Sequence, residues 1–181
     1  ARLATIEALR FARKCNVVIS YDPNLRLSLW KSPDEARQTI LAGMAFADIV
    51  KLSEEELAFL AGTNDLKAGI KQLFKSDDKK LVFVTMGAKG SCGFSGDRTA
   101  FVPGFPVKPV DTTGAGDAFF AGVLYQVLQS GLNIHALSED ELTGMLRFGN
   151  AMGALAASAK GGMPAMPSLD SVHSFITRHS G

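Results

Sequence analysis

The chain has very little cysteine: Cys15 and Cys92 stand far apart, and no CxxC pair or Cys/His cluster accompanies them. A disulfide scaffold and a zinc module are therefore not expected, and both thiols read as reduced groups of a cytoplasmic protein. Long apolar runs are missing too. Lys, Arg, Asp or Gly interrupts each stretch well before the ~18 residues that a membrane span needs, and no basic-then-apolar leader opens the chain. The expectation is a protein neither secreted nor membrane-spanning. Charge of one sign is also lacking, since 19 Lys and Arg against 18 Asp and Glu leave a formal +1. Nothing in that balance suggests nucleic acid or an anionic membrane as partner, so a small molecule is expected. There is no G-x-x-x-x-G-K-[ST], and the Gly114/Gly116 pair lacks the third glycine of G-x-G-x-x-G, which removes two common nucleotide folds. His135, His173 and His179 are scattered and read as solvent-facing. Ser91, Cys15 and Cys92 have no evident His partner and receive no nucleophilic role.

What is present suits one globular unit: 181 residues, 46% hydrophobic, with 18 glycines. Apolar residues at Leu3, Ile6, Leu9 and Phe11 mark an amphipathic helix over Leu3 to Arg13. That helix begins at once, without a starting Met, so further sequence is expected upstream. Val17 to Tyr21 reads as a buried strand ending in Asp22-Pro23-Asn24. Ser32-Pro33-Asp34-Glu35 combines an N-cap, Pro at the first helical position and an acid three residues after the cap, launching a helix to about Phe46. Asp48 to Leu52 is the next strand, and Ser53 to Glu56 caps a short helix that stops at Gly62. Asp65 to Phe74 reads as helix and Lys80 to Thr85 as the third strand. From Ser91 to Val107 the texture is that of a hairpin meander, with turns at Gly96-Asp97 and Pro103-Gly104. Ala115 to Gln129 is an apolar helix. Glu139 to Ala159 is a second, whose Ala and Gly suit close packing. This alternation predicts an open α/β sheet that binds ligands beyond the C-terminal ends of its strands, where the loops after Tyr21, Leu52 and Thr85 converge.

The chemistry is expected at Asp111-Thr112-Thr113-Gly114-Ala115-Gly116-Asp117. Here a loop becomes a long helix whose first N–H groups have no intrahelical acceptor, so Gly114, Ala115 and Gly116 offer an anion hole strengthened by the helix dipole. Asp117, in the first turn, could accept the proton of an attacking hydroxyl. Capping alone would also explain a lone acid there, but not the whole heptapeptide.

Asp-Thr-Thr-Gly-Ala-Gly-Asp followed by Ala-Phe-Phe-Ala-Gly resembles the C-terminal motif of the ribokinase-like, or PfkB, carbohydrate kinases, and the resemblance covers most of the chain. It implies an α/β fold of the ribokinase-like three-layer α/β/α sandwich type with a mostly parallel central sheet. Residues 1–181 would then be the C-terminal nucleotide-binding and catalytic part of a single kinase domain. The N-terminal lid region, through which relatives often dimerise, has no counterpart. Thr85-Met86-Gly87-Ala88-Lys89-Gly90 resembles the family's T-x-G-x-x-G element, which implies that Thr85, Gly87 and Gly90 approach ATP. Asn150 and Gly161 are likewise implied as nucleotide contacts. The family's monovalent cation loop, for which K⁺ is the candidate, corresponds to Asp111, Thr113, Ala156, Ala159 and Gly161. Ser53-Glu54-Glu55-Glu56 stands where the family has N-x-x-E, with Ser in place of Asn. A capping box explains Ser53, and Glu56 is implied as the residue that organises Mg²⁺ through water. The Asp22-Pro23-Asn24-Leu25-Arg26 loop resembles that of fructokinases and 2-keto-3-deoxygluconate kinases, which makes Asn24 and Arg26 sugar contacts beside Asp117.

The function implied is ATP-dependent phosphorylation of a sugar hydroxyl, with fructose as acceptor. The alternatives are 2-keto-3-deoxygluconate, aminoimidazole riboside or another nucleoside. A non-catalytic kinase-like binding protein, or an inactive fragment, is the reading from a different class.

Overall fold

A computed structural model describes residues 2–74, 80–131, 134 and 137–179, which leaves His135 outside the described residues. The chain divides into two compact units, 1–84 and 85–181.

The first unit opens with helix α1, Arg2–Lys14, which half-buries Ile6, Leu9 and Ala12 and leaves Leu3 and Phe11 exposed. Strand β1 is shorter than expected, Ser20–Tyr21, with Val17 and Val18 exposed before it. β-Branched residues favour a strand only where a neighbour covers their pleated face. Pairing starts instead at Ile19, whose N–H donates to the Asp48 carboxylate at 2.8 Å and whose carbonyl accepts the Asp48 and Ile49 N–H groups. Helix α2, Pro33–Met44, starts on the Ser32 hydroxyl, which accepts the Glu35 N–H at 3.1 Å. It stops two residues short of Phe46, and the Lys80 ammonium donates to the Met44 and Ala45 carbonyls at 3.3 and 3.4 Å, a cation at the negative helix end.

Strand β2, Ile49–Ser53, runs parallel to β1 in the register Ser20↔Ile49 and Tyr21↔Val50. Helix α3, Glu54–Ala61, begins in the expected Ser53/Glu56 capping box and ends at left-handed Gly62. Helix α4, Leu66–Leu73, starts on Asp65, and strand β3, Leu81–Thr85, closes the unit at Val84, its last residue being the first of the second unit. Strand order is β1-β2-β3. Ile49, Val50, Leu52, Leu81 and Phe83 are fully or almost fully buried. Such side chains each contribute about 1.5–3 kcal/mol, and a strand covered on both faces reads as an unbroken apolar run.

The second unit carries an antiparallel hairpin, β4 (Ser91–Ser95) and β5 (Arg98–Val102), joined by Gly96-Asp97 and running from Ser95↔Arg98 to Ser91↔Val102. The expected meander ends at Val102, because Pro103, Pro106 and Pro109 have no N–H to donate to a ladder. Helix α5, Ala115–Gln129, has the expected bounds. Helix α6, Glu139–Ala157, stops two residues before Ala159. The two helices pack closely through small residues: a Cβ on Gly149 would stand 2.9 Å from the Phe119 ring, and one on Gly153 would stand 3.1 Å from the Ala115 carbonyl. Helix α7, Leu169–Arg178, was not expected. Its signals were the Ser168 cap and the spacing of the buried Val172 and Phe175.

Candidate active site

Gly114 caps α5 with φ +80°, a left-handed conformation that glycine adopts without strain. A Cβ there would lie 3.2 Å from the Met166 methyl. The Ala115 N–H turns back onto the Thr112 carbonyl at 3.2 Å, and the Ala118 N–H makes the first helical bond, to the Gly114 carbonyl at 2.8 Å. Between them, the Gly116 and Asp117 N–H groups have no acceptor among the described residues. Of the donors expected to form an anion hole, the Gly116 N–H is therefore open together with that of Asp117, whereas the Ala115 N–H is engaged. Asp117 is exposed, and its carboxylate has no partner among the described residues.

Beside this turn, Asp111 acts as a clasp. One carboxylate oxygen accepts the Thr113 N–H at 2.9 Å and the other accepts the Gly161 N–H at 3.0 Å. The Val110 and Asp111 N–H groups donate to the Ala157 carbonyl, and the Ala159 N–H donates to that of Ala156 at 3.3 Å. The expected cation-loop residues therefore meet in one knot, in which the Asp111 charge already holds two amides. Those amides, Thr113 first, keep the carboxyl below the usual carboxylate range. A carboxylate so favoured holds the clasp fully above its unfolded pKa and loses it as pH falls through the lower folded value. The Gly161 amide resonance is expected to stay put down to about pH 4, the ordinary Asp range, and to shift only below it. A shift already complete at that pH would contradict the clasp.

The Thr85–Gly90 element forms a 3-10 turn over Gly87–Lys89, closed by Met86 N–H to the Gly90 carbonyl at 2.9 Å. Gly90 has φ +112°, and a Cβ on it would come within 2.1 Å of the Val102 carbonyl. This turn, the α5 start and α6 enclose a cavity of about 480 Å³, whose walls include Thr85, Gly87, Gly90, Ala115, Gly116 and Asn150. Phe105, Pro106 and Val107 supply an apolar side.

Asn150 reaches the cavity, yet its amide is fully engaged. Nδ2 donates to the Val102 and Pro103 carbonyls at 3.1 and 3.3 Å, and Oδ1 accepts the hydroxyl of buried Ser91 at 2.8 Å. Asn150→Leu is expected to destabilise the protein by about 3 kcal/mol in urea unfolding, because several buried polar atoms lose their partner. A loss below about 1 kcal/mol would show the amide to be dispensable for folding.

In the first unit, Glu56 is buried and holds the loop after β1. Its Oε1 accepts the Leu25 N–H at 2.7 Å and its Oε2 the Ser53 N–H at 2.8 Å. Among the described residues no group of three or more His, Cys, Asp or Glu is gathered for a metal. Asn24 is exposed with φ +44°. Arg26 is exposed too, donating to the Leu25 carbonyl at 2.9 Å. Sequence reasoning missed the pair between buried Lys51 and Asp22, Nζ to Oδ2 3.1 Å. Burial raises the Asp22 carboxyl above its ordinary value while Lys51 pulls it down. The available signal was a lysine inside the apolar β2 run, which requires a partner.

Residues 1–169 match the sequence pattern of the pfkB family carbohydrate kinases. The chain is 42% identical over 179 residues to Fructokinase-2 of Zea mays, covering 98% of this chain and 52% of that one. A fructokinase double mutant from Vibrio cholerae O395, crystallised with fructose, ADP and potassium ion, is 37% identical with a TM-score of 0.86 over 97% of this chain and 55% of its own. An aminoimidazole riboside kinase from Salmonella enterica, complexed with aminoimidazole riboside and an ATP analog, is 31% identical with a TM-score of 0.81 over 96% of this chain and 57% of its own. The chain thus spans about half the length of the curated relatives it matches. The α/β class expected from the sequence is the class these likenesses show. With the helix-capping glycine turn, the T-x-G-x-x-G element and this match in view, the chain belongs to the pfkB family of carbohydrate kinases.

Proposed function

We propose that the chain carries the phosphoryl-transfer machinery of an ATP-dependent sugar kinase whose acceptor is fructose. The observation behind this reading is the α5 start, where two N–H donors and a carboxylate without partners among the described residues stand in one helical turn, on the border of a cavity of about 480 Å³. That volume lies within the range of small-molecule sites. The residues present fit a nucleotide: backbone donors at a helix N-terminus for phosphate, glycines that let the chain approach closely, and an apolar wall for a flat base.

In this reading Asp117 accepts the proton of the attacking sugar hydroxyl as its oxygen bonds to phosphorus, while the Gly116 and Asp117 amides hold the charge of the transferring group. Thr85, Gly87 and Gly90 flank the phosphates, and Asn24 and Arg26 are the sugar contacts. Mg²⁺, when bound, supplies charge neutralisation on the phosphates. Glu56 is its organising residue through water, and the carbonyls of the Asp111–Gly161 knot suit a monovalent cation such as K⁺. Both units are read as parts of one ribokinase-like kinase domain.

Similarity to the fructokinases of Zea mays and Vibrio cholerae supports fructose. Similarity to the aminoimidazole riboside kinase gives the second reading, a riboside acceptor. The deciding measurement is coupled ADP release with fructose, 2-keto-3-deoxygluconate, ribose and nucleosides. Fructose is expected to give the highest kcat/KM; a riboside ahead of it would reverse the order, and no turnover with any acceptor would leave a binding protein or an inactive fragment.

A further inference from the structure

The cavity's apolar wall is built from a segment with little backbone support. Gly104 N–H donates to the Lys89 carbonyl at 3.3 Å and Val110 N–H to that of Ala157 at 2.8 Å. Between these two points, among the described residues, residues 105–109 make no backbone–backbone hydrogen bond, and Pro106 and Pro109 have no N–H. Side chains must hold this wall.

They converge on Phe105. Its ring meets the Phe175 ring edge-on at 5.0 Å and the His179 ring at 5.6 Å. The Arg147 guanidinium lies 5.6 Å over its centroid. Arg147 Nη2 also donates to the His179 carbonyl at 3.0 Å, fastening the end of α7 to α6 over the same ring. Phe105 and Val107 pack together against buried Phe148, Ala151, Val172 and Phe175. Phe105 and Val107 line the cavity, whereas Arg147, Phe175 and His179 are not among its lining residues.

We propose that Arg147, Phe175 and His179 are positioning residues that hold Phe105 as the wall against which the base of the nucleotide lies, so that α7 sets affinity for the adenosine part of the ligand. This rests on reading the cavity as a nucleotide site. The phosphate end depends on the α5 turn and a different set of contacts. Loosening the Phe105 brace therefore weakens binding of the base and leaves binding of the phosphates intact.

The test is calorimetric titration of the wild-type chain and the Arg147→Ala, Arg147→Lys and Phe175→Leu variants with ADP and with inorganic tripolyphosphate, which has no base. Arg147→Ala and Phe175→Leu are expected to weaken ADP about five- to tenfold, the scale of a cation–π or aromatic contact, and tripolyphosphate less than about twofold. Arg147→Lys, which keeps a cation over the ring, is expected to recover part of the loss. Unchanged ADP affinity in the variants would overturn the brace, and so would equal weakening of both ligands. Wild-type chain that binds tripolyphosphate but not ADP would overturn the nucleotide reading itself, a result separable from either of those.

Discussion

Replacing Asp117 with Asn is expected to remove phosphoryl transfer while leaving ADP affinity within about threefold of wild type. The change keeps shape and replaces the carboxylate, which in the proposed reading takes the hydroxyl proton, with an amide too weakly basic to do so. Positioned general bases contribute about 10²–10⁴-fold, so kcat in a coupled ADP-release assay should fall by at least about 10²-fold. The Asn side chain leaves the Gly116 and Asp117-position N–H groups where they are, because the Gly114 turn and the first helical bond at Ala118 set them. Nucleotide binding, measured by calorimetry, should therefore survive. A rate within tenfold of wild type would remove Asp117 from its role as base. Parallel loss of ADP binding would make it a binding residue instead.

Gly90→Ala should be the most damaging single methyl in the second unit. Two costs add there. The backbone at φ +112° is one that side-chain-bearing residues rarely adopt, and the new Cβ would press within 2.1 Å of the Val102 carbonyl and 2.6 Å of the Gly104 N. Strain of this kind costs of order 1–3 kcal/mol, and overpacking about as much again, so about 3 kcal/mol or more is expected in urea unfolding. Gly96→Ala is the control. It too has positive φ, +58°, but nothing lies within 4 Å of the added Cβ, so a loss of only about 1–2 kcal/mol is expected. Equal losses at the two positions would show that conformation alone matters and that the contact of the 87–90 turn with residues 102–104 is soft. Gly104 and Gly90 both line the cavity, so variant molecules that still fold should also bind ADP less well.

The sequence revealed those parts of the fold whose causes are local. Helix α5 begins and ends as read because a glycine turn precedes it and its own residues are mostly apolar. The Ser32, Ser53 and Ser138 starts follow from side chains that bond three residues ahead. What was not legible depends on partners distant in the chain. Strand β1 shrinks because Asp48, not a neighbouring strand, meets Ile19. Helix α7 hides behind Pro164 and Pro167, which make that stretch look like a tail, and its amphipathic face has meaning only once Phe148 and Phe105 are beside it. The Asp22–Lys51 pair joins residues 29 positions apart. At Asn150, resemblance suggested a ligand contact, and no local pattern could disclose that Ser91, Val102 and Pro103 already engage its amide.

The α5 turn has one more consequence. Its open donors are main-chain groups, and Gly153 brings α6 to within 3.1 Å, measured from an added Cβ, of the Ala115 carbonyl behind them. No substitution other than proline deletes a main-chain N–H, so these donors depend on the winding of the turn, and on the glycine that sets it, more than on side-chain chemistry. If the first turn frays, its N–H groups turn to water and the focus of positive potential disperses, although every residue is still present. If this turn holds the phosphoryl group as proposed, loss of activity on warming should precede loss of helix signal, because helix ends open locally before the protein unfolds as a whole.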